Sequence, residues 1–71
     1  MKGSEFIRRI EKLAKANGRT VEFKPQRGKG SHGTLYYDGK FTVVRNKKDE
    51  LKTGTLNGML KQLGIKPEDF N

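Results

Sequence analysis

The sequence contains no cysteine and no tryptophan. Without cysteine there is neither a disulfide framework nor a thiolate metal site. The single histidine, His32, excludes a zinc centre built on several imidazoles. Apolar residues are scarce, at 31%, so the hydrophobic core must be small. No apolar run approaches the ~20 residues that cross a bilayer. The opening Met1-Lys2-Gly3-Ser4-Glu5 has no apolar segment of the signal-peptide kind. Carboxylates are few and scattered, with no dyad for acid–base work and no acidic cluster for Mg²⁺. With 71 residues, one domain over 1–71 is the ceiling. The expectation is a small cytoplasmic protein with no membrane association, no metal and no cofactor.

What the sequence does have is positive charge. Sixteen Lys and Arg stand against 8 Asp and Glu, a formal net charge of +8. On so small a body this creates a potential of several kT near the surface. The natural partners are polyanions: nucleic acid, an acidic membrane face or an acidic protein. The charge is also uneven. Lys24, Arg27, Lys29, Lys40, Arg45, Lys47 and Lys48 share their stretch with one acid, Asp38, which leaves it at +6. A lone lysine is usually only solubilising. Seven bases against one acid favour a polyanion site.

The patterning predicts α-β-β-β-α. Phe6, Ile7, Ile10, Leu13 and Ala14 recur at helical spacing, with Ser4 as N-cap and Asn17-Gly18 as the stop. From Thr20 the period becomes alternating, and Val21 and Phe23 mark a half-buried strand that ends at Pro25. Residues 26–33 hold three glycines, Arg27, Lys29, His32 and no apolar side chain, and read as a loop. Asp38-Gly39 separates two β-rich runs and predicts a type I′ hairpin. A second helix is expected near Thr55, capped by Thr53 or Thr55, with Leu56, Met59, Leu60 and Leu63 inward and Gly64 as the stop. Ile65 is expected to tuck back onto that face, and Pro67-Glu68-Asp69 to open a short turn before Phe70. Both helices are placed on one face of a three-stranded antiparallel sheet, an α+β fold. Val21, Phe23, Leu35, Tyr37, Phe41 and Val43 are the expected sheet contributions to the core.

His32 is the one side chain whose ordinary titration falls near pH 7. It sits in Arg27-Gly28-Lys29-Gly30-Ser31-His32-Gly33. Glycines let a phosphodiester approach the backbone closely. Loop amides, with Arg27 and Lys29, can hold phosphate oxygens. A histidine beside them can accept the proton of a ribose 2′-hydroxyl or donate one to a leaving 5′-oxygen. The plainer reading is a polar residue entering a strand. Gly28-Lys29-Gly30-Ser31 is too short and wrongly placed for a P-loop. Tyr36 and Tyr37 face opposite sides of the sheet, and Tyr36 is either a base-stacking aromatic or a strand-favouring surface residue.

Taken together, these residues resemble the HicA toxins of toxin–antitoxin modules. The resemblance rests on Gly30-Ser31-His32 before a strand, the aromatic hairpin, and the run from Leu51-Lys52 through Gly54-Thr55-Leu56 and Met59-Leu60-Lys61 to Leu63-Gly64-Ile65. It extends to Met1-Lys2-Gly3-Ser4-Glu5-Phe6-Ile7 and Gly18. It implies a fold like the double-stranded RNA-binding domain and an mRNA interferase activity, with His32 catalytic. It also implies a HicB-like antitoxin that covers the active-site surface. Many members carry Pro-x-His after the third strand, where this chain has Val44 and Asn46. A second histidine therefore cannot assist here. Arg27, Lys29 and Lys47 are instead expected to stabilise the pentacoordinate phosphate, with Gly30 and Ser31 contacting the RNA. The free protein is expected to be a monomer.

Two other functions fit parts of the sequence. One is a double-stranded RNA-binding module without chemistry. Such modules place lysines at the start of the last helix, whereas here Gly54-Thr55-Leu56-Asn57-Gly58 has none before Lys61. The other is a basic adaptor that binds only an acidic protein.

Overall fold

The computed structural model describes residues 1–28 and 32–70. The chain runs α1 (Gly3–Asn17), β1 (Val21–Pro25), β2 (Gly33–Tyr37), β3 (Lys40–Val44), α2 (Thr53–Gln62) and α3 (Pro67–Phe70). The strands form one antiparallel sheet in the order β1-β2-β3. This is the expected α+β arrangement, with the short turn at Pro67 completed as a helix. Among the described residues no helix is long and apolar enough to cross a membrane.

Helix α1 forms because its apolar residues fall on one stripe, and Phe6, Ile7, Ile10 and Ala14 are buried along it. Gly18 takes φ 65°, and its N–H returns to the Lys15 carbonyl while that of Arg19 returns to Ala14. This is a Schellman closure. The same device ends α2, where Gly64 has φ 73° and the Ile65 N–H bonds the Leu60 carbonyl. It folds Ile65 back into the core, as expected.

The helix starts differ from the sequence reading. Ser4 lies inside α1, and neither helix has a side-chain cap. The free N–H groups of α1 are met by the chain itself. Gly3 donates to the Asp49 carbonyl at 3.1 Å and Ser4 to that of Lys47 at 2.9 Å. A loop from elsewhere in the sequence thus replaces the expected serine cap. Helix α2 starts at Thr53, two residues earlier than Thr55, with Lys52 at its N-cap.

The third strand turns the other way from the expectation. Asp38 and Gly39 have φ 51° and 81°, the type I′ signature. That two-residue turn pairs Tyr37 with Lys40, Leu35 with Thr42 and Gly33 with Val44. Directly paired residues share a face. With Leu35 and Tyr37 inward, Thr42 and Val44 must also be inward, and both are buried. Phe41 and Val43 are therefore corrected from core to surface, at 58% and 50% exposed. The buried Thr42 hydroxyl is paired with the Gln62 side-chain oxygen of α2 at 2.5 Å, so burial leaves no polar group unmet.

Both helices pack on the inner face. Helix α1 covers β1 and β2, and α2 covers β3. Val21 and Phe23 lie at the edge of this core and are half-buried. Helix α3 closes one end, where Phe70 meets Phe6 at 5.6 Å between ring centroids. Among the described residues no element covers the opposite sheet face, which carries Glu22, Lys24, Thr34, Tyr36, Phe41 and Val43.

Candidate functional site

His32 lies one residue before β2, half-buried. Its carbonyl accepts the Gln26 N–H at 2.8 Å. The antiparallel ladder therefore continues one pair past Pro25 and Gly33. Pro25 fits in this edge strand because its pair makes no backbone exchange with β2, so no ladder donor is lost. His32 is thus tied to the β1 side by its carbonyl and to β2 through Gly33.

Gly33 is in β2 rather than in the loop, and its lack of a side chain has a use. A Cβ built there would stand 2.3 Å from Phe23 Cζ and 2.8 Å from the Lys24 carbonyl oxygen. The Phe23 ring occupies the space a side chain would fill. Lys47 Nζ then sits 4.4 Å from the centre of that ring, a cation–π contact. One aromatic side chain thereby links the residue after His32 to a lysine of the following loop.

The Lys47 backbone is fixed as well. Its carbonyl caps α1, as described above. Asn46 Oδ1 accepts the Lys48 N–H at 2.9 Å, and the Asn46 carbonyl accepts the Asp49 N–H at 3.3 Å. This is an Asx turn around Lys47. At the position where the resemblance led one to look for a histidine, the asparagine shapes the turn.

Arg27 is exposed in the turn after β1, where Gly28 adopts φ 69°. Lys29, Gly30 and Ser31, three of the expected RNA contacts, lie outside the described residues. The structure brings His32, Gly33, Phe23 and Lys47 to one end of the sheet. Two bases of the positively charged stretch that were given no individual site role join that neighbourhood. Arg45 directly follows Val44, the partner of Gly33 and the last residue of β3. Lys24 pairs with Thr34 and holds its ammonium 5.4 Å from the Tyr36 ring. Counting register outward from Asp38-Gly39 would have placed Arg45 opposite His32.

The opposite charges nearby are few. Lys24 lies 3.9 Å from Glu22 and Asp49 closes the turn that carries Lys47, whereas Arg19 pairs with Asp38 at 3.5 Å at the far end of the hairpin. Among the described residues no group of three or more His, Cys, Asp or Glu side chains is placed to hold a metal ion. Among the described residues the arrangement offers one imidazole and several cations. That set can bind a phosphodiester and move one proton.

A family model described as the HicA toxin of bacterial toxin–antitoxin matches residues 7–65, most of the chain. The matched span includes His32, the aromatic hairpin and α2. No curated protein and no solved structure gives a match.

Proposed function

The chain belongs to the HicA toxin family, and from that membership we propose that it is an endoribonuclease that cleaves mRNA with His32 as its one catalytic histidine. Family membership makes it the toxin of a toxin–antitoxin pair and implies an antitoxin partner. The ribonuclease chemistry goes beyond that statement. The observation that carries it is the placement of the chain's only histidine between a basic glycine-rich segment and the buried Gly33.

In the reaction, the ribose 2′-oxygen attacks the adjacent phosphorus and the bond to the 5′-oxygen breaks. One proton leaves the 2′-hydroxyl and one arrives at the 5′-oxygen. His32 performs one of these transfers and water the other, and His32 then exchanges one proton with solvent to regain its starting form. Charge gathers on the phosphate oxygens as the fifth bond forms. Arg27, Lys29 and Lys47 stabilise it, and the backbone at Gly30 and Ser31 approaches the strand. None of these roles requires a metal ion, so cleavage should persist in EDTA. A HicB-like antitoxin with an acidic surface would occupy the same cations and block the substrate.

The test is His32→Ala, purified and induced beside the wild type. Cleavage should fall by about 10²–10⁴. Thermal unfolding and affinity for non-cleavable RNA should stay the same, and growth arrest should disappear. A variant that cuts RNA at the wild-type rate ends the proposal.

A further inference from the structure

We propose that the uncovered face of the sheet is a stacking platform for unpaired nucleobases, so that the RNA meets this protein as a single strand. The proposal rests on the ribonuclease reading above and specifies the conformation of its substrate.

The register places Tyr36 on the central strand directly opposite Phe41 of β3. The two rings lie 6.0 Å apart at 45° to each other. Tyr36 is 38% exposed, and Phe41 and Val43 are at least half exposed. One aromatic on a solvent-facing strand needs no function, because strands favour aromatics. Two touching rings extended by a valine make a continuous apolar surface facing water. The sequence has few apolar residues, yet it places three of them here and a threonine in the core.

Charge decides between occupants. Lys24 sits beside Tyr36 and pairs with Glu22 at 3.9 Å, and Arg45 and Lys47 add positive charge at the end of the sheet nearest His32, while Asp49 and Glu50 line the groove that Phe41 and Val43 border. Aromatic rings beside cations are the elements of single-strand binding. Bases stack on the rings, and the backbone follows the charge. A duplex cannot use such rings, since its bases are already stacked and paired. The face also leads to the site. Alternation puts Tyr36, Thr34 and His32 on one row, spanning about 13 Å along the strand. A strand stacked at Tyr36 and Phe41 would be directed toward His32 and the basic end of the sheet.

The probes are non-cleavable 2′-O-methyl oligonucleotides of about eight nucleotides, within the usual site size for such surfaces. One carries bases, one is abasic with equal charge, and one is the base-paired duplex. Binding is read by fluorescence anisotropy at low salt for the wild type and for Tyr36→Leu/Phe41→Leu. That variant keeps apolar surface and removes both rings, and its unfolding curve checks the fold. Wild type should bind the base-bearing strand about tenfold or more tightly than the abasic one. The leucine variant should lose that difference and bind the abasic strand unchanged. Equal affinity for the two strands, or preference for the duplex, overturns the proposal. So does a leucine variant that keeps the base preference, since the rings would then not be where bases stack. Cleavage of unmodified RNA is scored in parallel. Base-dependent binding without cleavage sinks the ribonuclease reading and leaves the platform standing. Cleavage without base-dependent binding does the reverse.

Discussion

Gly33→Ala tests the packing behind His32 most directly. The new methyl carbon would lie 2.3 Å from Phe23 Cζ, 2.9 Å from Phe23 Cε1 and 2.8 Å from the Lys24 carbonyl oxygen. Carbon atoms in good contact stand about 3.5–4.0 Å apart. The ring must therefore retreat by more than about 1 Å. The carbonyl belongs to a paired strand and has little freedom to follow. Overpacking of this kind costs about 1–3 kcal/mol. At roughly 0.05–0.15 kcal/mol per residue, a domain of this size holds only about 4–11 kcal/mol in total. With a urea slope of about 1 kcal/mol per molar, the midpoint should fall by about 1–3 M. Phe23→Leu in the same chain should recover part of the loss, because the smaller side chain vacates the clash. The double-mutant cycle should show a coupling of about 0.5 kcal/mol or more. RNA affinity should fall as well, since Lys47 rests on the displaced ring. A Gly33→Ala midpoint within about 0.3 M of wild type would refute the reasoning, as would strict additivity with Phe23→Leu.

Two exposed glycines should respond in opposite directions. Gly18→Ala meets no neighbour but must adopt φ 65°, so thermal unfolding should show a loss of about 1–2 kcal/mol. Gly58→Ala in α2 also meets nothing and keeps helical backbone, so it should stabilise by about 0.5–1 kcal/mol. Phe6→Ala removes a fully buried ring that contacts Phe70 and should cost about 3–5 kcal/mol, a large share of the stability, which a lowered thermal midpoint followed by circular dichroism would reveal. RNA affinity should fall steeply as salt rises, with a log–log slope near −0.7 per phosphate neutralised, and Lys47→Ala should reduce that slope by about one phosphate.

Much of this structure was legible because local rules agreed with one another. Helical periodicity, glycine stops and Asp38-Gly39 each name an element without reference to the rest of the chain. The starts of both helices were not legible in that way. Their capping is tertiary or absent, and the carbonyls that serve α1 come from Lys47 and Asp49, more than forty positions away. Pattern reading saw a serine in the right place and credited it with a role the loop performs. For the site, the same division holds. His32 and its basic surroundings are visible as composition. The link from Gly33 through the Phe23 ring to Lys47 depends on three separate segments meeting.

The face assignment of β3 is the instructive case, because the sequence held the information and a stronger-looking pattern hid it. Phe41 and Val43 are the most apolar alternating pair in that strand, and hydrophobicity alone sends them inward. The turn forbids it. Two residues at the turn oblige Tyr37 to face with Lys40, and an inward Tyr37 then fixes Thr42 and Val44 inward. Reversing the face would require an extra residue in the turn or a bulge, since a one-residue slip moves every side chain to the other side. Asp38 at φ 51° and Gly39 at φ 81° show the turn without either. The chain therefore keeps a polar Thr42 inside, paired with Gln62, and two large apolar side chains outside. Core stability alone would favour the opposite choice at these positions. The turn also sets Phe41 beside Tyr36 and Lys24 on the face that alternation assigns to His32, which is where the proposed stacking of bases would use it.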